Sequence, residues 1–228
     1  MIKAIIFDLD GVLVDTKLIH FLALNDSLIA NKISSIEYED HVKIYDGLPT
    51  SEKLNLLNKK NKISPKNVLE IKKLKQINTI KHLNNSLVFD KKIFDIFRTF
   101  SKKYKIGIAT NAVKSTLDTC LKKLKIKNFV DLSLCNEDIN NAKPNPEIYF
   151  KMFIKFGLYP EEIIILEDSH YGRQAVSHSG AHLLPIKKLS DVNLKNIRYH
   201  IKTINKNMKN VSTKNTWVDK NLNILIPM

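Results

Sequence analysis

At 228 residues, the chain is long enough for one sizeable domain or for a core with a smaller lobe. Its hydrophobic content of 43% and aromatic content of 8% are ordinary for a globular protein, and no apolar run approaches the roughly 20 residues of a membrane span. The net charge of +14 makes nucleic acid a candidate partner. The lysines are scattered, however, and charge alone gives only salt-sensitive, non-specific affinity. We therefore expect neither a membrane nor a nucleic-acid partner.

The first predicted element is an apolar strand that ends in two acids. Asp8 and Asp10 are spaced i, i+2, so their side chains would project to the same side if the strand continued, and Gly11 permits a sharp departure of the backbone. Two acids at the end of a buried strand are costly unless a cation or a substrate occupies the site. The plain alternative is a solvated turn, because Asp and Gly are ordinary turn residues.

A helical insertion follows the first strand. Helical periodicity dominates in residues 18–30, 51–57 and 65–83, without strand-like alternation. We expect residues 16–85 to form an all-helical lobe over a site, with hinges near residues 14–16 and 84–88. Residues 1–15 and 86–228 would then form the core.

From residue 91 onward, predicted helices and strands alternate. Helices are expected at 91–103, 113–124, 146–156 and 172–179, and strands at 105–110, 129–134, 162–166 and 182–186. This alternation predicts an α/β, Rossmann-like parallel sheet flanked by helices on both faces, with ligands at the carboxyl ends of the strands. The tail from about residue 190 shows no clear pattern. Trp217 and the apolar run 222–226 are open to three interpretations: an extra strand, a docking segment or a partner contact, with packing on the core preferred.

Three later segments also carry polar residues that are suited to binding phosphate or a cation. Thr110 and Asn111 end the second strand of the core, where a hydroxyl and backbone N–H groups can hold phosphate or simply cap the next helix. Lys143, fixed before Pro144, fits a phosphate-binding or charge-neutralising role. Glu167 and Asp168 end another apolar strand, and four carboxylates at strand ends would repel one another without a divalent cation. Hard oxygen ligands indicate Mg²⁺.

These four segments, in this order, resemble the motifs of the haloacid dehalogenase-like (HAD) superfamily of phosphatases and mutases. Residues 8–15 resemble the first motif, Thr110 the second, Lys143 the third, and Glu167 with Asp168 the fourth. The run 166–172 is similar to the subgroup that contains β-phosphoglucomutase and the phosphoglycolate-type phosphatases. The resemblance implies a HAD core whose inserted helical cap closes over the phosphate and excludes water.

The resemblance also implies roles for the site residues. Asp8 would attack phosphorus and become an aspartyl-phosphate, while Asp10 would protonate the leaving oxygen and then activate water. Mg²⁺ would be held by Asp8, the Asp10 carbonyl and Asp168, with Glu167 as a further ligand or as support for a metal-bound water. The transferring oxygens would be bound by Thr110, Asn111 and Lys143.

The cap is expected to select the substrate. Thr16 and His20 match an Asp-Thr-x-x-x-His pattern of β-phosphoglucomutase-like members, in which the histidine touches the substrate or the surroundings of the general acid. An ordinary helix position at the cap–core seam is the alternative for His20. Gly47 and Thr50 lie in a segment that resembles the substrate loop, but the arginine that mutases carry after this glycine is missing. Lys53 would compensate only in part.

We therefore expect a Mg²⁺-dependent phosphatase of small phosphorylated metabolites, such as sugar phosphates, acting through an aspartyl-phosphate. The alternatives are a sugar phosphomutase of the β-phosphoglucomutase type and, from another class, a basic nucleic-acid-binding protein on the same scaffold. The first strand begins almost at once, which favours a cytoplasmic protein over a secreted one. We expect a monomer or a weak homodimer. Zinc is not expected, because neither the two cysteines nor the histidines show metal-type spacing.

Overall fold

The computed structural model describes residues 1–45, 48–61 and 63–214. Its centre is a sheet of five parallel strands. The strands are β1 (Ala4–Phe7), β2 (Lys105–Ala109), β3 (Leu132–Leu134), β4 (Ile163–Glu167) and β5 (His182–Pro185), in the order β3-β2-β1-β4-β5. All of β1 and β4 is buried, as their continuous apolar sequences require of strands covered on both faces. The predicted fold class is confirmed.

The inserted segment is helical. Its elements are α1 (Lys17–Ala30), α2 (Tyr38–Asp40), a π-helical turn (His41–Tyr45), α3 (Thr50–Asn61) and α4 (Pro65–Ser86). Leu24 and Leu28 of α1, Leu54 of α3 and Ile71 of α4 are fully buried in a hydrophobic cluster separate from those of the sheet. The division of the chain into a core and a helical lobe of residues 16–85 stays a prediction. Leu83, near the end of α4, packs into the core of the sheet instead.

Five helices cover the sheet: α5 (Lys91–Phe100), α6 (Lys114–Lys123), α7 (Glu147–Phe156), α8 (His170–Ser179) and α9 (Leu194–Lys214). Ile5 and Phe7 of β1 share a core with α5, α6 and α9, whereas Ala4 and Ile6 share one with α7 and α8. This two-sided burial follows from the alternation of side chains along a strand. The predicted strand 129–134 starts only at Leu132, because residues Lys127–Phe129 form a 3₁₀ turn.

The C-terminal region holds the largest departure from the sequence-based expectation. Residues that show no clear sequence pattern form the long helix α9, with Ile197 and Ile201 buried in the core. The backbone N–H of Ile2 donates to Asn205 Oδ1 at 2.7 Å, so α9 also fixes the start of the chain. Trp217 and residues 222–226 lie outside the described residues. Of the helices in the described part of the chain, none has both the length and the apolar character needed to cross a bilayer.

Candidate active site

The carboxyl ends of neighbouring strands bring the predicted motifs together. The register aligns Phe7 of β1 with Ile108 of β2 and with Leu166 of β4. Asp8 therefore lies between the ends of β2 and β4, and its backbone N–H donates to the Leu166 carbonyl at 3.0 Å. Glu167 is the last residue of β4 and is fully buried. The central strand of a parallel sheet thus carries the predicted nucleophile between two other motifs.

Gly11 makes the turn after Asp10 and allows Asp168 to approach. Its φ of +75° is in the left-handed region, and its N–H donates to the Val14 carbonyl at 2.8 Å. A Cβ at this position would lie 2.0 Å from Asp168 Oδ2. Only glycine therefore lets the first and fourth motifs come this close.

Lys143 joins the carboxylates of two strands. Its Nζ donates to Asp8 Oδ1 at 2.8 Å, to Glu167 Oε2 at 2.8 Å and to the Ala109 carbonyl at 2.9 Å. These bonds use all three donors of the ammonium group, which is 3% exposed. Tyr149 adds a hydroxyl donor to Glu167 Oε2 at 3.1 Å. The predicted third motif is thus in contact with the first and the fourth.

Burial and neighbouring charges shift the pKa values of this group. Burial and then the Glu167 charge raise the pKa of Asp8 well above its usual value, against the opposing effect of Lys143. Burial alone would lower the pKa of Lys143, but Asp8 and Glu167 outweigh it and raise that pKa. Lys143 is therefore held in its charged form beside Asp8, whose ionised form is costly.

Thr110 and Asn111 line the same cleft, and Asn111 also supports the loop that carries Lys143. The Asn111 side chain donates to the Lys143 carbonyl at 3.3 Å and accepts from the Lys143 N–H at 3.1 Å. The Thr110 hydroxyl accepts from the Ala112 N–H at 3.0 Å. Both groups therefore have positions fixed by the protein, and their contact with a transferring phosphate stays a prediction.

The acids at the ends of β1 and β4 fit a divalent cation. One carboxylate oxygen each of Asp8, Glu167 and Asp168 lies within 4.8 Å of the other two. Such an all-oxygen set is the chemistry that Mg²⁺ prefers, and a cation would relieve the repulsion that raises the pKa of Asp8. Glu167 is further held by Ser169, whose N–H and hydroxyl donate to its Oε1 at 3.1 and 2.9 Å.

Asp10 is turned away from this acid group and towards the cap. Its Oδ1 accepts a hydrogen bond from the Thr16 hydroxyl and lies 3.3 Å from His20 Nε2. On the far side of the ring, Lys75 Nζ is 3.2 Å from His20 Nδ1. Because an ammonium can only donate, we assign the ring proton to Nε2, which donates to Asp10. The structure thus brings together Asp10, Thr16 and His20 and adds Lys75 to them.

These contacts lower the pKa of Asp10. Burial would raise it, but His20 and the hydrogen bonds from His20 and Thr16 outweigh burial and bring the pKa to about 2. The pKa of His20 is itself lowered by burial and then by the Lys75 charge. We therefore attribute the stabilisation of ionised Asp10 to the two hydrogen bonds rather than to a histidine cation.

Sequence reasoning missed Lys75, although a signal for it was present. Ile71, Lys75, Thr79 and Leu83 recur every four residues along α4, and all four are buried. A lysine on the buried stripe of a helix is unusual, because its charge must find a partner or a solvated cleft. That position could have been recognised from the periodicity of α4.

A cleft of about 280 Å³ separates the helical lobe from the sheet. Asp8, Asp10 and Lys143 line it from the core, and Thr50 lines it from the start of α3. Gly47 lies outside the described residues. The other site residues that line the cleft are Thr16, His20, Thr110, Asn111 and Asp168.

Comparison with solved structures first defines the fold. A β-phosphoglucomutase from Clostridium difficile superposes with a TM-score of 0.77 at 21% identity, covering 91% of this chain and 99% of that one. Among curated proteins, the chain is 27% identical to a phosphorylated carbohydrates phosphatase of Thermotoga maritima, over 78% of this chain and 82% of the relative. It is also 27% identical to the pyrophosphatase PpaX of Anoxybacillus flavithermus, over 78% of this chain and 80% of that protein.

The sequence profile of the haloacid dehalogenase-like hydrolases matches residues 5–186. The chain belongs to this family. The predictions of the family and of an enzyme of the phosphatase type are confirmed.

Proposed function

We propose that this enzyme is a Mg²⁺-dependent phosphatase of small phosphorylated metabolites that works through a phosphorylated Asp8. The observation that carries the proposal is the contact network of Asp8, Lys143, Glu167 and Asp168 at the strand ends. In this network a buried candidate nucleophile, Asp8, lies beside the fixed ammonium group of Lys143. The carboxylate oxygens of the same network form a set that suits a divalent metal ion.

Asp8 is assigned the attack on phosphorus. Lys143 fixes its Oδ1, so the other oxygen, Oδ2, is the one that we assign to bond formation. Asp8 Oδ2 forms a bond to phosphorus while the bond from phosphorus to the leaving oxygen breaks. Lys143 faces the same region, where its charge favours the oxygens of the transferring group. Thr110 and Asn111 complete the proposed phosphate contacts.

Asp10 is assigned the proton transfers. Because the hydrogen bonds from His20 and Thr16 lower its pKa, Asp10 is ionised at neutral pH, which is the state of a general base for the attacking water. A bound phosphate dianion would raise its pKa by like-charge repulsion and so favour the protonated form that the leaving oxygen requires. Thr16 and His20 hold the carboxylate in place for both steps.

Mg²⁺ would be held by Asp8, Asp168 and the carbonyl of Asp10, with Glu167 as a further ligand or as the support of a bound water. When bound, the cation supplies charge that offsets the repulsion between the carboxylates and the phosphate. Glu167 also orients Lys143, through the hydrogen bond described above.

The substrates that we propose are sugar phosphates and similar monoesters. The name of the Thermotoga maritima relative supports phosphorylated carbohydrates, and that of PpaX makes pyrophosphate a further candidate. A phosphomutase stays the alternative within the family.

We also propose a cytoplasmic location, which the two free, buried thiols suit. We propose a monomer or a weak homodimer.

A phosphate-release assay over a panel of sugar phosphates and pyrophosphate tests the proposal. We expect release with Mg²⁺, none after chelation with EDTA, and recovery when Mg²⁺ is added back. With β-glucose 1-phosphate and its bisphosphate primer, we expect free phosphate rather than glucose 6-phosphate. Fast isomerisation would favour the mutase, and no turnover of any phosphate compound would contradict the proposal.

A further inference from the structure

Lys17, the first residue of α1, faces the acids of the site from the helical insertion. It lines the cleft, and its Nζ lies 3.8 Å from Asp168 Oδ2. The N-terminal end of a helix carries a partial positive charge, so a lysine there is unfavourable unless an anion lies close by. Asp168 supplies that anion. The ion pair therefore places a cation of the protein directly beside one of the proposed metal ligands.

Lys17 and Lys143 both pair with acids of the proposed metal site, but they are held differently. Lys143 donates to Asp8 and Glu167 at 2.8 Å and is 3% exposed. The side chain of Lys17 is 39% exposed, and its distance to Asp168 is longer than a hydrogen bond. Lys143 is therefore a fixed part of the site, whereas the looser contact of Lys17 with Asp168 is one that a stronger cation can replace.

A divalent cation at this site would compete with Lys17 for Asp168. The carboxylates of Asp8, Glu167 and Asp168 lie close together, and their mutual repulsion favours any positive charge nearby. Before a metal ion binds, Lys17 supplies part of that charge. Once the ion is bound, the two positive charges repel each other and the ion pair with Asp168 is lost. The free energy of metal binding must therefore offset the displacement of Lys17.

We propose that Lys17 is a placeholder cation, which pairs with Asp168 in the metal-free enzyme, withdraws when Mg²⁺ binds, and so weakens the affinity for Mg²⁺. Lys17 is a positioning residue in this role, because it acts on the metal ion through Asp168. The inference rests on the magnesium site of the proposed function and adds a residue that sets how tightly the metal ion is held. Its distinctive consequence is that removal of the lysine tightens metal binding, whereas loss of a merely structural contact would weaken it.

Isothermal titration of Mg²⁺ into the metal-free protein, without substrate and at low ionic strength, tests the inference. Lys17→Met should bind Mg²⁺ about three- to fivefold more tightly than the wild type, which is the size expected for a partly exposed ion pair. Lys17→Arg should bind Mg²⁺ about as the wild type does, because the charge is kept. The gain in Lys17→Met should shrink in high salt, which screens exposed charges.

Lys3→Met is the matched control, because it removes the same charge from the chain. Lys3 pairs with Glu162 at 2.5 Å, and the 15% exposure of the Glu162 side chain is close to the 13% of Asp168. Lys3 and Glu162 immediately precede β1 and β4, so this pair lies at the opposite ends of these strands from the site. Lys3→Met should therefore leave the affinity for Mg²⁺ unchanged. Circular dichroism verifies the folding of every variant.

Three results would overturn the inference. Equal affinity in Lys17→Met and the wild type would show that the lysine does not compete with Mg²⁺, and weaker binding in Lys17→Met would show that it orients Asp168 for the metal ion instead. A gain of the same size in Lys3→Met would show that net charge alone explains the change.

A phosphate-release assay on the same proteins separates the inference from the proposed function. Tighter Mg²⁺ binding by Lys17→Met, without phosphate release from any compound, would support the placeholder cation and contradict the phosphatase. Mg²⁺-dependent release, with equal affinity in Lys17→Met and the wild type, would do the reverse. A wild type that binds no Mg²⁺ would contradict both.

Discussion

Lys143 is the residue on which the charge balance of the site depends. Its ammonium lies within 2.8 Å of a carboxylate oxygen from each of two strands. Removing a single partner from a buried group of charges leaves the others without compensation. The same side chain is therefore expected to support both folding and the proposed chemistry.

Lys143→Met should lower the free energy of unfolding by about 3–5 kcal/mol, because Asp8 and Glu167 lose their buried counter-ion. Urea unfolding measures this loss. Lys91→Met is the control: its side chain is 78% exposed and pairs with Asp95, so the change should stay within about 1 kcal/mol. A loss of less than about 1 kcal/mol in Lys143→Met would contradict the assigned role.

Gly11→Ala tests the close approach of the first and fourth motifs. The new Cβ would meet Asp168, so we expect a higher Mg²⁺ concentration for half-maximal phosphate release and a slower maximal rate. Gly157→Ala is a matched control, because its φ of +64° carries similar backbone strain while no atom lies within 4 Å of the added Cβ. Both variants should lose about 1–2 kcal/mol of stability. An unchanged Mg²⁺ requirement in Gly11→Ala would remove Asp168 from the cation site.

At the scale of elements, strand ends were far more predictable than the C-terminal helix. Apolar strands that end in Asp8, Thr110 and Glu167 can be recognised from local sequence patterns. The rule that parallel sheets bind ligands at the carboxyl ends of their strands then predicts that these residues share one site. Helix α9 was missed because its Lys- and Asn-rich sequence hides the few apolar positions that tertiary packing uses. Lys75 was missed because its contact with His20 joins two helices far apart in sequence.

The packing of α9 can be tested with two substitutions in one helix. Ile197→Ala should destabilise the protein by about 2–5 kcal/mol, because Ile197 is fully buried against the sheet. Tyr199→Ala, at a position that is 66% exposed, should change stability by no more than about 0.5 kcal/mol. Urea unfolding of both variants gives the comparison. Equal effects would show that α9 does not pack as described.

At the scale of the whole molecule, the inserted helical segment and the helices that cover the sheet meet beside the cleft. Gln76 of α4 donates to the hydroxyls of Ser115 and Thr116 of α6 at 2.7 and 3.0 Å, and Lys123 donates to the Asn84 carbonyl at 2.7 Å. Apolar packing also joins them, because Ile19 of α1 and Leu83 of α4 belong to the hydrophobic cluster of the sheet. The closure of a cap over the phosphate stays a prediction.

The central claim is that a buried carboxylate at the end of β1 takes the phosphoryl group. The most direct test is the rate of phosphate release by Asp8→Asn in Mg²⁺, on the substrate that the wild type prefers. We predict a loss of at least about a thousandfold, with an unfolding midpoint no lower than that of the wild type, because one of several mutually repelling acids has been neutralised. Release at a rate close to that of the wild type would contradict the claim.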